Sequence, residues 1–202
     1  MLIADRPMTP ATSAPAAVSS VCYYVACSLD GFIAAEDGGT DWLPPIDPDG
    51  EDFGFGEFFA GIDALIMGRH TYEQSLALLG PDTPWPYGDT PCWVMSHKPL
   101  NPPQASVRVS AASPRSVLAA AHAAGQQRVW LMGGAALARS FRAEGLITDY
   151  IVSIVPVILG KGIPLLQADE TMTHLELLSS RQLAGGLVQL HYRRKRPPVH
   201  SR

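Results

Sequence analysis

The chain has 202 residues, 47% of them hydrophobic and 17% charged, with a net charge of −4 at pH 7. That length buries one well-formed α/β core or two very small ones, the composition excludes a mostly disordered protein, and the acidic balance excludes a general pull toward nucleic acid. Cys22, Cys27 and Cys92 are odd in number and form no C-x-x-C pair, so no disulfide framework and no metal site is expected, and a reducing, cytoplasmic setting is the default.

Residues 1–20 hold Pro, Ala, Thr and Ser without a basic segment leading into an apolar one, and read as a flexible leader rather than a signal peptide. No apolar run approaches the roughly 20 residues that span a bilayer, so no membrane partner is expected. Val21 to Cys27, rich in β-formers, predicts a first strand. Ser28 to Gly50 follows, with glycines, prolines and acids that predict a loop; its length marks it as a lid or a binding loop. Phe55, Phe58, Phe59 and Ile62 recur at helical spacing, against the opposing preference of Gly54 and Gly56. Asp63 to Gly68 predicts a buried strand and His70 to Gly80 a helix stopped by its glycine. Cys92 to Ser96 and Ser106 to Ser110 predict two short strands.

Ser113 as cap, Pro114 at the first helical position and Gly125 as stop delimit the next helix. Arg128 to Met132 predicts a strand that enters Gly133 and Gly134, followed by a helix closed by Gly145. The stretches 149–158, 174–183 and 186–195 are strand-like. Arg193 to Arg196 lead into Pro197 and Pro198, and residues 196–202 read as a solvated basic tail. The alternation predicts one α/β domain over residues 21–195, its central sheet mostly parallel and its C-terminal strands antiparallel.

Three strand ends carry anion-binding groups. Gly133, Gly134, Ala135 and Ala136 join a strand to a helix whose backbone amides and positive dipole end suit phosphate; the same pair also serves as a tight turn, and it is neither a G-x-G-x-x-G fingerprint nor a P-loop. Gly68, Arg69, His70 and Thr71 leave a second strand, Arg69 with a fork of donors that matches phosphate and His70 with the alternative of capping the helix. Ser96, His97 and Lys98 leave a third, where a polar turn before Pro99 is the competing reading. Ligands of open α/β sheets bind outside the carboxyl ends of strands, so the three are expected to converge on one crevice.

In order and spacing, "ALIMGRHTYE", "CWVMSHKPL" and "VWLMGGAALARSF" resemble three segments of dihydrofolate reductase. "YYVACSLDGFIA" and "DYIVSIVPVILGKGIPLL" are more similar to the reductase domain of the bifunctional riboflavin-biosynthesis deaminase-reductase and its stand-alone relatives. The resemblance runs from about Val21 to about Lys195. It implies an α/β, dihydrofolate-reductase-like three-layer fold and an NADPH-dependent reductase, a homodimer, acting on a small pterin-like or ribosylaminopyrimidine substrate. Dihydrofolate reductase proper and a non-catalytic NADPH-binding module are the alternatives.

By that resemblance Arg69, His70 and Thr71 meet cofactor phosphates, Ser96, His97 and Lys98 lie by the adenosine 2′-phosphate, and Gly133 to Ala136 hold the pyrophosphate. Ala26 and Ile33 line the nicotinamide. Reduction also needs a proton, for which a buried carboxyl with raised pKa is the usual supplier. The resemblance carries that acid onto Asp52, which reads equally as a helix-terminal carboxylate, with Glu51, Asp47 and Asp49 close by. Asp30 either touches a substrate ribose or fixes a turn. Trp42 matches a tryptophan of the mobile loop beside the substrate, with plain packing as the competing reading, and Lys161, between glycines, either approaches a substrate phosphate or is exposed. The H-x-E with P-C-x-x-C signature of zinc deaminases is absent, which leaves the substrate open.

Overall fold

The computed structural model describes residues 19–45, 51–79, 83–170 and 172–195. Residues 1–18 of the expected leader, the tail 196–202, Asp47, Asp49 and the expected helix stop at Gly80 lie outside them.

A single eight-stranded sheet organises the chain in the order β5-β4-β3-β6-β1-β7-β10-β9. β1 (Ser20–Ser28), β3 (Ala64–Gly68), β4 (Cys92–Met95), β5 (Val107–Ser110), β6 (Arg128–Gly133) and β7 (Asp149–Val155) pair in parallel. β9 (Leu175–Gln182) and β10 (Val188–Arg194) finish the sheet antiparallel. The expected architecture is therefore present: a mostly parallel sheet with antiparallel C-terminal strands.

Alternation along the strands sends successive side chains to opposite faces. Ile66, Val129 and Leu131 face α3 (Pro114–Ala123) and α4 (Ala135–Ala143), where Val117, Leu118, Ala138 and Phe141 complete one core. Leu65, Met67 and Trp130 face the other way, toward α1 (Phe55–Phe59) and α2 (Arg69–Leu78). Two helical layers thus enclose the sheet, and each fully buried Leu, Phe or Met contributes roughly 1.5–3 kcal/mol.

Two elements differ in detail from what the sequence predicts. Within the expected loop of residues 28–50, β2 (Phe32–Ala34) forms and pairs antiparallel with β8 (Ile163–Pro164), a partner no local pattern announces. α1 is only five residues long, and it forms despite its glycines because its rings pack. Phe58 stacks on Tyr24 at 4.1 Å, and Trp130 lies edge-on to Phe58 at 5.5 Å while its Nε1 donates to the Tyr24 carbonyl at 3.1 Å. Packing of these partly buried rings against buried Trp130 offsets the helix penalty of Gly56. The α3 signals act as read: the Ser113 hydroxyl accepts the Ser116 amide at 3.3 Å.

Candidate functional site

Parallel pairing brings the carboxyl ends of β1, β3, β4, β6 and β7 to one edge of the sheet. Gly68 pairs with Met95 and Met67 with Gly133, so the three donor-bearing turns are adjacent. A Cβ added at Gly134 would stand 3.4 Å from the Thr71 hydroxyl, and one added at Gly68 would stand 3.9 Å from the Gly133 carbonyl and the Gly134 amide. Gly133 has φ +123°, a conformation in which a side chain is strained, and open space where its Cβ would be. The Gly133–Gly134 peptide is cis.

The helices that leave these turns begin without side-chain caps. α2 starts after Gly68 and α4 after Gly134, and neither residue offers a capping hydrogen bond, whereas Ser113 caps α3. Uncapped first-turn amides and two positive dipole ends at one edge form a setting for an anion. His70, second in α2, makes no capping bond and is exposed.

Arg69 is positioned rather than loose. Its Nε donates to Glu73 Oε1 at 2.7 Å and its Nη1 to the Pro99 carbonyl at 3.1 Å, which ties α2 to the turn after β4. In that turn the Ser96 hydroxyl donates to the Lys98 carbonyl at 2.7 Å and accepts the Lys98 amide at 3.1 Å. Ser96 therefore builds the polar turn, and His97 and Lys98 project from it, exposed. Ala26, opposite Ser153 on β7, and Ile33 on β2 are half-buried on the strands nearest the lid.

The two carboxylates singled out from sequence are both held in turns. Asp52 accepts the amides of Gly54 at 2.7 Å and Gly56 at 2.8 Å. Those amides, Gly56 first, hold its carboxyl below the usual carboxylate range. It stands before the first turn of α1, whose amides stabilise the charged form rather than raise the pKa. Asp30 accepts the amides of Leu159 at 3.1 Å and Gly160 at 2.7 Å. The Ser28 hydroxyl and then these amides lower its pKa too. It fixes a turn, joining the lid to the segment between β7 and β8.

The segment after β1 is pinned at further points. Gln74 Nε2 donates to the Gly38 carbonyl at 3.1 Å, and the Leu165 amide to the Gly31 carbonyl at 2.8 Å. Lys161 is exposed and pairs with Glu36 at 2.6 Å. Trp42, half-buried, keeps a buried indole N–H without a hydrogen-bond partner among the described residues. No group of three His, Cys, Asp or Glu side chains that would hold a metal is found among the described residues, and no helix there is long and apolar enough to cross a membrane.

Residues 19–189 match the RibD C-terminal domain. The chain belongs to the RibD C-terminal domain family. It is 37% identical to the uncharacterized protein YwjB of Bacillus subtilis (strain 168) over 84% of this chain and 94% of that one. To the uncharacterized protein YyaP of the same organism it is 28% identical, over 83% and 91%. Among solved structures, one from Shewanella sp. PV-4, whose name carries only a provisional link to riboflavin biosynthesis, superposes with a TM-score of 0.78 at 30% identity, over 88% of this chain and 99% of that one. RibD of Acinetobacter baumannii superposes with a TM-score of 0.67 at 21% identity, over 89% of this chain and 59% of that one, and shares the fold.

Sequence reading overlooked some partners that shape this RibD C-terminal domain. Glu36 is the partner of Lys161, and the amides of Leu159 and Gly160 are those of Asp30; both ties are long-range and leave no local mark. A second group did leave a mark. Gln189, His191 and Arg193 alternate along β10 with Val188, Leu190 and Tyr192, a period-two pattern that places three polar side chains on one face.

Proposed function

We propose that this chain is an NADPH-dependent reductase of the riboflavin-pathway type, transferring hydride to a ribosylaminopyrimidine such as 5-amino-6-(5-phosphoribosylamino)uracil or to a pterin-like relative of it. The observation that carries the reading is the meeting of Gly68 to Thr71, Ser96 to Lys98 and Gly133 to Ala136 at one sheet edge, with two uncapped helices. Membership of the RibD C-terminal domain family supports it. So does the name of a Thermotoga maritima structure with the same fold, a diaminohydroxyphosphoribosylaminopyrimidine deaminase/5-amino-6-(5-phosphoribosylamino)uracil reductase, at a TM-score of 0.66 and 17% identity.

The residues present fit a dinucleotide. In this reading the α4 amides and the side-chain-free Gly133 and Gly134 receive the pyrophosphate, Arg69 and Thr71 a neighbouring phosphate, and Lys98 with Ser96 the 2′-phosphate that separates NADPH from NADH. Ala26 and Ile33 border the nicotinamide, which when bound supplies the hydride. Trp42 offers its unpartnered indole N–H to the substrate, and the pinned lid excludes water. Asp30 and Asp52 are held in turns that favour their charged forms, so the proton is assigned to solvent rather than to a raised-pKa carboxyl. The enzyme is taken to be a cytoplasmic homodimer.

The test is NADPH oxidation, followed by absorbance and thermal shift, against the phosphoribosylaminouracil, dihydrobiopterin-type compounds and dihydrofolate, with NADH as control. Turnover of the aminouracil that survives Asp52→Asn and is abolished by Arg69→Ala is expected. Turnover confined to dihydrofolate and lost in Asp52→Asn would establish the folate reading instead. Tight NADPH binding with no oxidation on any substrate would leave a binding module.

A further inference from the structure

A cavity of about 800 Å³ opens on the α1 side of the sheet, between the amino-terminal halves of β1 and β7 and the strands β9 and β10. It is built on the opposite half of the strands from the crevice, and none of the crevice residues lines it. Its floor is polar where a sheet face under a helix is normally apolar. Asp149 and Gln189 are 8% and 5% exposed, and Ser153, 6% exposed, continues the same face.

Those buried groups form two chains of hydrogen bonds. Asp149 accepts from the Thr148 hydroxyl at 2.7 Å, lies 3.0 Å from His191 Nε2, and accepts from Arg193 Nε at 3.3 Å. Gln189 donates to the Ser153 hydroxyl at 2.9 Å and accepts from Arg181 Nε at 2.8 Å. Each buried polar group of the floor is therefore satisfied and held, and each chain ends in an arginine at the rim. Arg128, Arg181, Arg193 and Arg194 border the cavity against Glu57 and Asp149 alone, in a chain whose net charge is −4. The Arg128 guanidinium makes no ion pair among the described residues; it lies over Gly61, where an added Cβ would collide with it. One wall is aromatic, the stacked Tyr24 and Phe58.

We infer that this cavity is a second binding site, for a small polar molecule carrying closely spaced anionic groups. The volume falls in the range of small-molecule sites, and the ingredients are those such sites use: a few fixed polar groups, one apolar wall and cations. Arg128 and Arg193 would meet the anions from two sides, with Gln189 and Ser153 oriented beneath them. A second copy of the chain fits less well, because the core of a stable homodimer interface is depleted of charge. The exposed Leu177 and Val188 extend β9 and β10 on the opposite face, since their ladder partners Tyr192 and Gln182 alternate with the lining residues His191 and Arg181. This site stands apart from the proposed reductase activity and survives its failure.

Isothermal titration of the full chain with sodium pyrophosphate and, separately, with citrate tests it. Arg69→Ala removes an anion donor from the crevice; Arg128→Ala/Arg193→Ala removes two from the cavity. Binding of one anion that persists in Arg69→Ala and weakens at least ten-fold in the double variant is expected, pyrophosphate or citrate identifying a phosphate or a carboxylate ligand. Arg193 also holds Asp149, so Arg128→Glu, which breaks no ion pair, serves if the double variant fails to fold; it too should weaken binding ten-fold. Binding unchanged in the cavity variants, binding lost only in Arg69→Ala, or no heat with either anion overturns the inference. So does a sedimentation profile in which the wild type is a dimer and the cavity variants are monomers, since a second copy would then fill the face.

Discussion

The carboxylate of Asp30 accepts the amide of Gly160 across 130 residues at 2.7 Å, and with the Leu159 amide at 3.1 Å it closes the turn after β1 onto the segment between β7 and β8. That clamp sets where the lid starts. It lies beside β1, the central strand that passes the crevice, so the order of the lid depends on a group that titrates.

Asp30 and Asp52 both have folded pKa values below their ordinary 3.8. A depressed folded value means that the ionised form is the one folding favours, so the contribution is present above the unfolded pKa and is lost as pH falls through the folded value. The unfolding temperature should therefore drop below about pH 3.8. Asp30→Asn/Asp52→Asn should flatten that drop; a profile identical to wild type between pH 2 and 5 would contradict the assigned hydrogen bonds. At neutral pH, Asp30→Asn alone should raise the rate of limited proteolysis between residues 157 and 162.

Gly162 has φ +156°, and a Cβ there would collide with the Ala34 carbonyl of β2. Gly162→Ala therefore meets both strain and overlap, at a cost of roughly 1–3 kcal/mol, by prising β8 from β2. Urea denaturation measures it. Gly160→Ala is the control: φ is +75° with open space around it, so only the strain remains and the midpoint should move less.

Arg142 Nη2 lies 2.7 Å from Asp169 Oδ2 and donates to the Gln167 carbonyl at 2.6 Å, with both side chains largely buried. This pair anchors the later half of α4, whose first turn borders the crevice, to the segment after β8. Arg142→Ala removes one partner of a buried pair and should cost on the order of 3 kcal/mol. Because α4 would shift at its anchored end, cofactor affinity should weaken as well, which titration of the folded fraction checks.

Lys98 is exposed on the turn that Ser96 orders. Lys98→Ala should weaken NADPH binding roughly ten-fold, the value of one hydrogen bond to a charged group, and leave NADH binding unchanged. Raising the salt concentration should narrow the difference. Equal weakening for both dinucleotides would move the 2′-phosphate elsewhere.

Much of this architecture was legible in local pattern. Leu65 to Met67 and Val129 to Leu131 declare buried parallel strands by unbroken hydrophobicity, Ser113 and Pro114 declare a helix start, and the donors after Gly68, Met95 and Gly133 do stand at one edge of the sheet. These features rest on backbone and nearest-neighbour physics, which a short window of sequence contains. Which donors would be drawn into bonds was not legible: Arg69 is held by Pro99, 30 residues on, and Asp52 is claimed by the first turn of α1.

Sequence alone determined the order of the elements of the main sheet and its helices, the parallel sheet with its antiparallel end, and the donor residues at its strand ends, because periodicity and capping are local properties. Tertiary structure alone decided that β2 exists, that Asp30 accepts the amides of Leu159 and Gly160, and that Asp149, Gln189 and Arg193 share one polar cavity floor with Arg128 at its margin. Each of those depends on contacts between residues far apart in the chain, where closure of long loops and burial of whole faces select among partners that no local pattern ranks.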